Sequence, residues 1–334
     1  MIDRATTSSL TKGMPFLAAD VGGTHARLAL VRAGAGFGQP VEVLAFHKYD
    51  CTEYSSLVEF ITEFLATHDG HGVNRGVVAS AGYALDDGTV ITTNLPWPLS
   101  IRETREHLGF ADLRLVNDFE AVAYAAAALP TLETTHITGP YESTVNGPML
   151  VLGPGTGLGA AVWIPRDERP FVLATEAGQA SLAANNELEL ALLAQLLKQH
   201  AHVTIEHVLS GPGILNLYNA LAVLRGAKPV LATPSQITAA AQAGGDALAR
   251  ETLEVFCGFL GSVVGDMALT YGVQGGIRLA GGILPQIRDF LPNSDFVARY
   301  LNKGPMRAAL ERIPVRLVEH GQLGVVGAAQ WYLN

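Results

Sequence analysis

Near the start of the chain two apolar runs, Phe16-Leu-Ala-Ala-Asp20 and Arg27-Leu-Ala-Leu-Val31, flank a glycine-rich turn, Val21-Gly-Gly-Thr24. Short apolar stretches joined in this way predict a β-hairpin. Further strands are expected at 41–49, 76–80 and 113–116, with helical patterns over 56–67, 100–108 and 119–129. The second half restarts the theme. Met149–Leu152 reads as a strand, Gly153-Pro-Gly-Thr-Gly-Leu-Gly159 as a turn, and Ala160–Ile164 as a second strand closed by Pro165. Asn186 with Glu189 three residues on is a capping-box pattern for a helix reaching about His200, and Leu188, Leu192 and Leu196 give it one apolar stripe. Helices are also expected over 234–250 and 251–271, a strand at 277–280, a turn at Gly281-Gly282 and the start of a helix over 283–290. A strand at 315–318 and a helix over 325–332 close the chain.

Hairpin strands are antiparallel, so this is not a plain alternating βαβ series. The pattern is that of an α/β chain in two halves, each opening with a hairpin around a glycine-rich turn. A length of 334 residues exceeds the usual size of one hydrophobic core, which agrees with two domains. With 49% hydrophobic and 16% charged residues the chain belongs with compact globular proteins. A net charge of −9 argues against nucleic-acid or anionic-membrane partners. Cys51 and Cys257 lie in separate halves without CxxC spacing and read as reduced thiols of a cytosolic protein. Residues 1–15 are polar, lack the apolar core of a secretory signal, and are expected to form a flexible tail. No apolar stretch of about 18 residues free of charge and turn residues occurs, so no membrane span and a cytoplasmic location are expected.

The glycine turns carry the candidate chemistry. Gly155-x-Gly157-x-x-Ala160, with Glu176 further on, has the spacing of a dinucleotide fingerprint. That fingerprint needs a helix opening at the turn, and Pro165 and Pro170 leave little room for one. A Walker A loop is excluded because no Gly-Lys dipeptide occurs, and Gly-x-Ser-x-Gly and His-Glu-x-x-His are absent too. His68 and His71 flank Asp69-Gly70 and read as a solvated loop. What remains is a glycine turn in each of two hairpins, where positive φ and close backbone approach suit a nest for phosphate. Asp20, before the first turn, is placed to hold Mg2+ directly or through water. Asp118 stands between an apolar strand and a helix, where a helix cap and a catalytic carboxylate are both open readings.

Six segments in order carry a resemblance: Asp20-Val-Gly-Gly-Thr24, Thr93-Asn94-x-x-Trp97, Asn117-Asp118-Phe119, Gly155-Thr-Gly-Leu-Gly159, Glu206-x-Val-Leu-Ser-Gly-Pro-Gly213 and Ala280-Gly-Gly-Ile283. From about Phe16 to the C-terminus the chain resembles the bacterial glucokinases of the hexokinase/actin-like superfamily. The resemblance implies a two-domain actin-like ATPase (ribonuclease H-like) fold with mixed sheets and an interdomain cleft. The small domain would hold 16–128 plus 320–334, and the large domain 129–319. It implies ATP and Mg2+ at Asp20, Gly22, Gly23 and Thr24, at Gly155, Thr156, Gly157 and Gly159, and at Gly281 and Gly282. It places glucose on Asn94, Asn117, Asp118, Glu176, Glu206 and the 179 position, with Asp118 as general base for the 6-hydroxyl, and it implies a homodimer. A cluster of Asn and carboxylate side chains suits hydroxyls that both donate and accept.

Two positions depart from the family pattern. The sugar loop, Gly-Glu-Gly-Gly-His in the family, reads Thr175-Glu-Ala-Gly-Gln179 here, and the turn Thr-Asn-Ala-Arg reads Thr24-His-Ala-Arg27. Gln179 still offers an acceptor and two donors, without a titratable ring. Two alternatives follow: a kinase for another hexose, and a non-catalytic sugar-binding regulator. A DNA-binding repressor is disfavoured, because about 15 residues before the first strand are too few for a helix-turn-helix.

Overall fold

The computed structural model describes residues 13–34, 41–85, 89–91, 95–130, 133–167, 169–319 and 321–334. The tail expected at 1–15 thus falls largely outside the described residues, as do Thr93 and Asn94. Contacts divide the chain into two compact units, one running to Leu129 and resuming after Glu319, the other spanning Pro130–Glu319.

In the first unit β1 (Phe16–Val21) and β2 (His25–Arg32) form the expected hairpin, and β3 (Glu42–Asp50) pairs antiparallel with β2. Helix α1 (Leu57–Thr67), capped by Ser56, leads to β4 (Arg75–Ser80). Three short strands, β5 (Tyr83–Ala84), β6 (Thr89–Ile91) and β7 (Leu99–Ser100), make a small separate sheet. Helix α2 (Ile101–Leu108), β8 (Asp112–Asn117) and α3 (Asp118–Ala128) follow. The five-stranded sheet has order β3-β2-β1-β4-β8, and β1, β4 and β8 run parallel. Their register aligns Val21 with Ser80 and Ser80 with Asn117, so the turn after β1 and the α3 start share one sheet edge. Ligand sites of open α/β sheets lie at this carboxyl edge. Alternation along β1 sends Leu17, Ala19 and Val21 to one apolar face and Phe16 and Ala18 to the other. The second face is covered by the C-terminal helix (Leu323–Leu333), through Val325, Ala328, Ala329 and Tyr332.

In the second unit β9 (Thr134–Thr138), the hairpin β10 (Met149–Pro154) and β11 (Leu158–Ile164), β12 (Phe171–Thr175), β13 (Gly276–Leu279) and β14 (Val315–Val318) form one sheet of order β12-β11-β10-β13-β14-β9. Its core packs under α4 (Glu187–Leu196), α5 (Gly211–Arg225), α6 (Pro234–Ala243) and α7 (Ala247–Thr270). Helix α7 is long and apolar enough to cross a bilayer by composition, but Leu253, Phe256, Phe259, Leu260 and Val264 lie in this core. A single helix expected over 234–250 is in fact broken: Gly244 sits at φ +74° and Asp246 caps α7 by accepting from the Ala249 N–H. The helix expected from 283 is only a 3-10 turn, Leu284–Ile287, with proline in its first turn. Helix α5 was not anticipated, because it opens on Gly-Pro-Gly.

Candidate active site

At the carboxyl edge of the first unit the turn Gly22–Thr24 is closed by the Gly22 N–H donating to the His25 carbonyl at 3.0 Å. Cys51 braces it from the side: its N–H donates to the Thr24 carbonyl at 3.0 Å and its thiol to the Gly22 carbonyl at 3.3 Å. Burial pushes the Cys51 thiol up, so it stays protonated and able to donate. Asp20 lies opposite Arg27 in the hairpin register, its carboxylate 3.3 Å from the guanidinium. Burial nonetheless raises the Asp20 pKa, with the Arg27 charge and hydrogen bond only partly offsetting it. The carboxylate rests on the first turn of the C-terminal helix: a Cβ on Gly324 would stand 2.3 Å from Asp20 Cγ. Any side chain at 324 would displace the acid.

Asn117 and Asp118 open α3 at the same edge. Asn117 is the cap, its Oδ1 accepting from the Phe119 and Glu120 N–H groups at 3.0 and 3.1 Å. Asp118 is the first helical residue and its carboxylate accepts from the Phe119 N–H at 2.8 Å. The cap and the acid are therefore different residues. His25 is depressed by burial and by Lys48 and Arg27, with Asp50 opposing, so it stays neutral near pH 7.

In the second unit three segments are knitted together: the turn Gly155–Leu158, the loop 176–179 and the segment 203–206. Glu206 is the knot. Its Oε2 accepts from the Leu158 N–H at 2.7 Å and its Oε1 from the Gln179 side-chain amide at 3.1 Å. Its backbone N–H donates to the Gly178 carbonyl at 2.9 Å. Where the segments touch, a Cβ on Gly178 would lie 2.4 Å from the Leu158 carbonyl, which requires glycine there, and one on Gly157 would lie 2.5 Å from Glu206 Oε2 and push that carboxylate aside. Gly22, Gly155 and Gly157 do not use the positive φ expected of a nest, and at Gly22 and Gly155 the fold leaves room for a Cβ. Thr156 and Glu176 are exposed. Gly159 has joined β11, paired with Gly153.

The start of α5 abuts the same turn, the Gly211 N–H donating to the Gly155 carbonyl at 2.8 Å. After β13, Gly281 does adopt positive φ, +86°, and a Cβ there would meet the Pro154 carbonyl at 2.4 Å. The Gly281-Gly282 loop is thereby seated on the end of β10, beside the Gly155–Leu158 turn. Behind Glu206, His207 Nδ1 accepts from the Thr204 N–H at 3.0 Å, and burial, then the His200 charge, depress it. Of the candidate residues, the structure thus groups Asp20, Gly22, Gly23, Thr24, Asn117 and Asp118 in one unit and the 155–159, 176–179, Glu206 and 281–282 sets in the other. Cys51 and Gly324 carry no motif of their own, and neither they nor the bond from the Leu158 N–H to Glu206 were anticipated.

A family model described as Glucokinase matches residues 17–334. A glucokinase-like protein of Xylella fastidiosa is 55% identical over 319 residues, covering 96% of this chain and 95% of that protein. The glucokinase of Saccharophagus degradans is 37% identical, covering 95% of this chain and 98% of its own length. Among solved structures, a glucokinase from an Antarctic psychrotroph superposes with a TM-score of 0.82 at 37% identity, covering 95% of this chain and 98% of that one. A glucokinase from Balamuthia mandrillaris solved with glucose gives 0.78 at 20% identity, covering 98% and 96%, a likeness of fold. The fold is that of the actin-like sugar kinases, and the chain belongs to the glucokinase family.

Proposed function

We propose that the chain transfers the γ-phosphoryl group of ATP to the 6-hydroxyl of glucose. The observation that carries this reading, beyond family membership, is the joining of the Gly155–Leu158 turn to Glu206 and Gln179. One carboxylate binds a phosphate-type turn on one side and a neutral polar side chain suited to sugar hydroxyls on the other. Asp118 accepts the proton of the 6-hydroxyl as that oxygen bonds to the γ-phosphorus and the bond to the ADP oxygen breaks. Such transfer depends on positioning and charge neutralisation, so a weakly basic carboxylate suffices. Asn117, its Oδ1 spent on the helix cap, offers its Nδ2 to the sugar; Glu176 and Glu206 accept from sugar hydroxyls, and Asn94 completes the set.

Phosphates would be held by the Gly22–Thr24 and Gly155–Gly159 turns, with Gly281 and Gly282 at the adenosine end. The residues fit: Gly155 and Gly282 face open space, and the Gly211 N–H marks a helix start beside the turn. Mg2+ would fit at Asp20, a buried carboxylate whose charged form burial disfavours more than Arg27 supports it, so that a cation there would offset the cost. When bound there, directly or through water, the ion neutralises charge on the phosphate oxygens. A cytoplasmic homodimer is part of the same reading.

ADP release with ATP and Mg2+ over a panel of hexoses tests the reading. Glucose is expected to give the highest kcat/KM. A higher value for mannose or glucosamine would reassign the sugar, and no release with any hexose would leave a sugar-binding regulator.

A further inference from the structure

Gln179 and Glu206 are 27 positions apart and meet at 3.1 Å, amide nitrogen to carboxylate Oε1, while Oε2 is held at 2.7 Å by the Leu158 N–H. A carboxylate anchored at both oxygens is fixed in plane and orientation, with its remaining lone pairs free to accept. We infer that Gln179 is a positioning residue: it sets the orientation of Glu206 toward the sugar, and with Leu158 it ties that orientation to the phosphate turn. This rests on the reading of Glu206 as a sugar acceptor. Gln179 is exposed, so its amide is not there to satisfy a buried group of its own. The direction of the bond is forced, because an ionised carboxylate only accepts and the amide must donate.

A neutral amide makes this clamp independent of pH in a neighbourhood where other groups titrate. The groups facing the pair are Glu176 on the same loop, His207 next to Glu206, and His200, whose ring lies 4.4 Å from that of His207; His202 also acts on His207. The backbone side is held by the Ser210 hydroxyl, which donates to the Glu206 carbonyl at 2.7 Å at the start of α5. Of these, His207 is lowered by burial and then by the His200 charge. Replacement by glutamate introduces a second carboxylate against Oε1. The two acids then repel when both are ionised, and share a proton when one is not, in which state the donor is restored.

The test is a pH series of glucose KM and kcat for the wild type, Gln179→Ala and Gln179→Glu, each variant read relative to wild type at the same pH so that His207 cancels. Gln179→Ala is expected to raise glucose KM roughly tenfold, as befits loss of a hydrogen bond to a charged group, with a smaller fall in kcat. Gln179→Glu is expected to raise it by more than about tenfold at pH 8 and to recover toward wild type at pH 5.5. A merely structural loss does not reverse on acidification. Wild-type KM in Gln179→Ala, or a flat relative profile in Gln179→Glu, overturns the inference. The Leu158 amide resonance gives a readout that needs no turnover. It is expected downfield in the wild type, moving upfield in Glu206→Gln and moving part-way in Gln179→Ala; no change in Gln179→Ala counts against the clamp. If hexoses give no ADP release while this amide pattern holds, the clamp stands and it is the kinase reading that fails.

Discussion

Asn117 and Asp118, adjacent in the chain, divide the opening of α3 between them: the amide of Asn117 caps the helix, and the carboxylate of Asp118 is left at its first position. Because the cap is Asn117, removing the Asp118 charge should leave the helix in place. Asp118→Asn is expected to keep glucose binding within a modest factor while cutting turnover at least about 100-fold. Calorimetric glucose binding beside steady-state kinetics checks this, and near-normal turnover would remove Asp118 from the role. Asn117→Ala, by contrast, is expected to lower stability by about 1 kcal/mol, the usual worth of a helix cap.

Under the proposed role as the Mg2+ ligand, Asp20 is an acid kept at a cost to folding. Burial raises its pKa in the fold, so the folded state holds a proton more tightly than the unfolded chain. Its contribution therefore favours folding below the unfolded value of 3.8 and turns against it as pH rises through the folded value. Without Mg2+, Asp20→Asn is expected to melt higher than the wild type at pH 7, the difference shrinking toward pH 4, and to lose phosphoryl transfer. Equal melting temperatures at pH 7 would contradict this.

Gly324 should tolerate no side chain. A methyl group would stand 2.3 Å from Asp20 Cγ and 2.4 Å from its Oδ2, so acid or helix has to move. Gly324→Ala is expected to cut kcat at least about tenfold and to lower the melting temperature. Gly245→Ala, where a Cβ meets open space outside the proposed site, serves as the control.

Arg278 is a poorly compensated cation in β13. Among the described residues its Nε and Nη1 are buried without a hydrogen-bond partner, and Arg316 is its neighbour in β14. Arg316 by contrast is satisfied by Thr134 and the Tyr141 carbonyl. Burial, then the Arg316 charge, pull the Arg278 pKa down. Arg278→Met keeps the stem and removes the charge, and is expected to raise stability by about 1 kcal/mol, read as a higher urea midpoint. A lower midpoint would show that the guanidinium is compensated.

His207 gives an acid limit. Its depressed pKa means the unfolded chain takes up a proton first, so stability is fully present above the unfolded value of 6.5 and is lost as pH falls below it toward the folded value. Protonation also removes the acceptor for the Thr204 N–H, on the segment that carries Glu206. The melting temperature is expected to drop from pH 7 to pH 5, with a shallower slope in His207→Gln. His25 is depressed too and leaves a residual slope.

Both hairpins were legible because each places a glycine turn between apolar runs of strand length, a local signal. The start of α3 was legible in the same way, but the cap reading was set on Asp118 and belongs to Asn117, since either side chain can accept from the helix start. The break between α6 and α7 was missed because the flanking residues are good helix formers, and Gly244 with Asp246 outweighs them only through its positive φ and cap. The partner of Gln179 was beyond reach. It depends on the loop after β12 folding back on a segment 27 residues later, and on no local pattern. Cys51 looked inert for a related reason: its role is to brace a turn 29 positions earlier.

The contact between Asp20 and Gly324 also has a consequence for biosynthesis. Asp20 is synthesised long before the helix it rests on, Leu323–Leu333. A nascent chain can pair β1 with β2 early, yet the seat of its acidic group stays unfinished until the helix Leu323–Leu333 has been made. Chains cut short before this helix would carry every recognisable motif and still lack the surface that holds Asp20 in place.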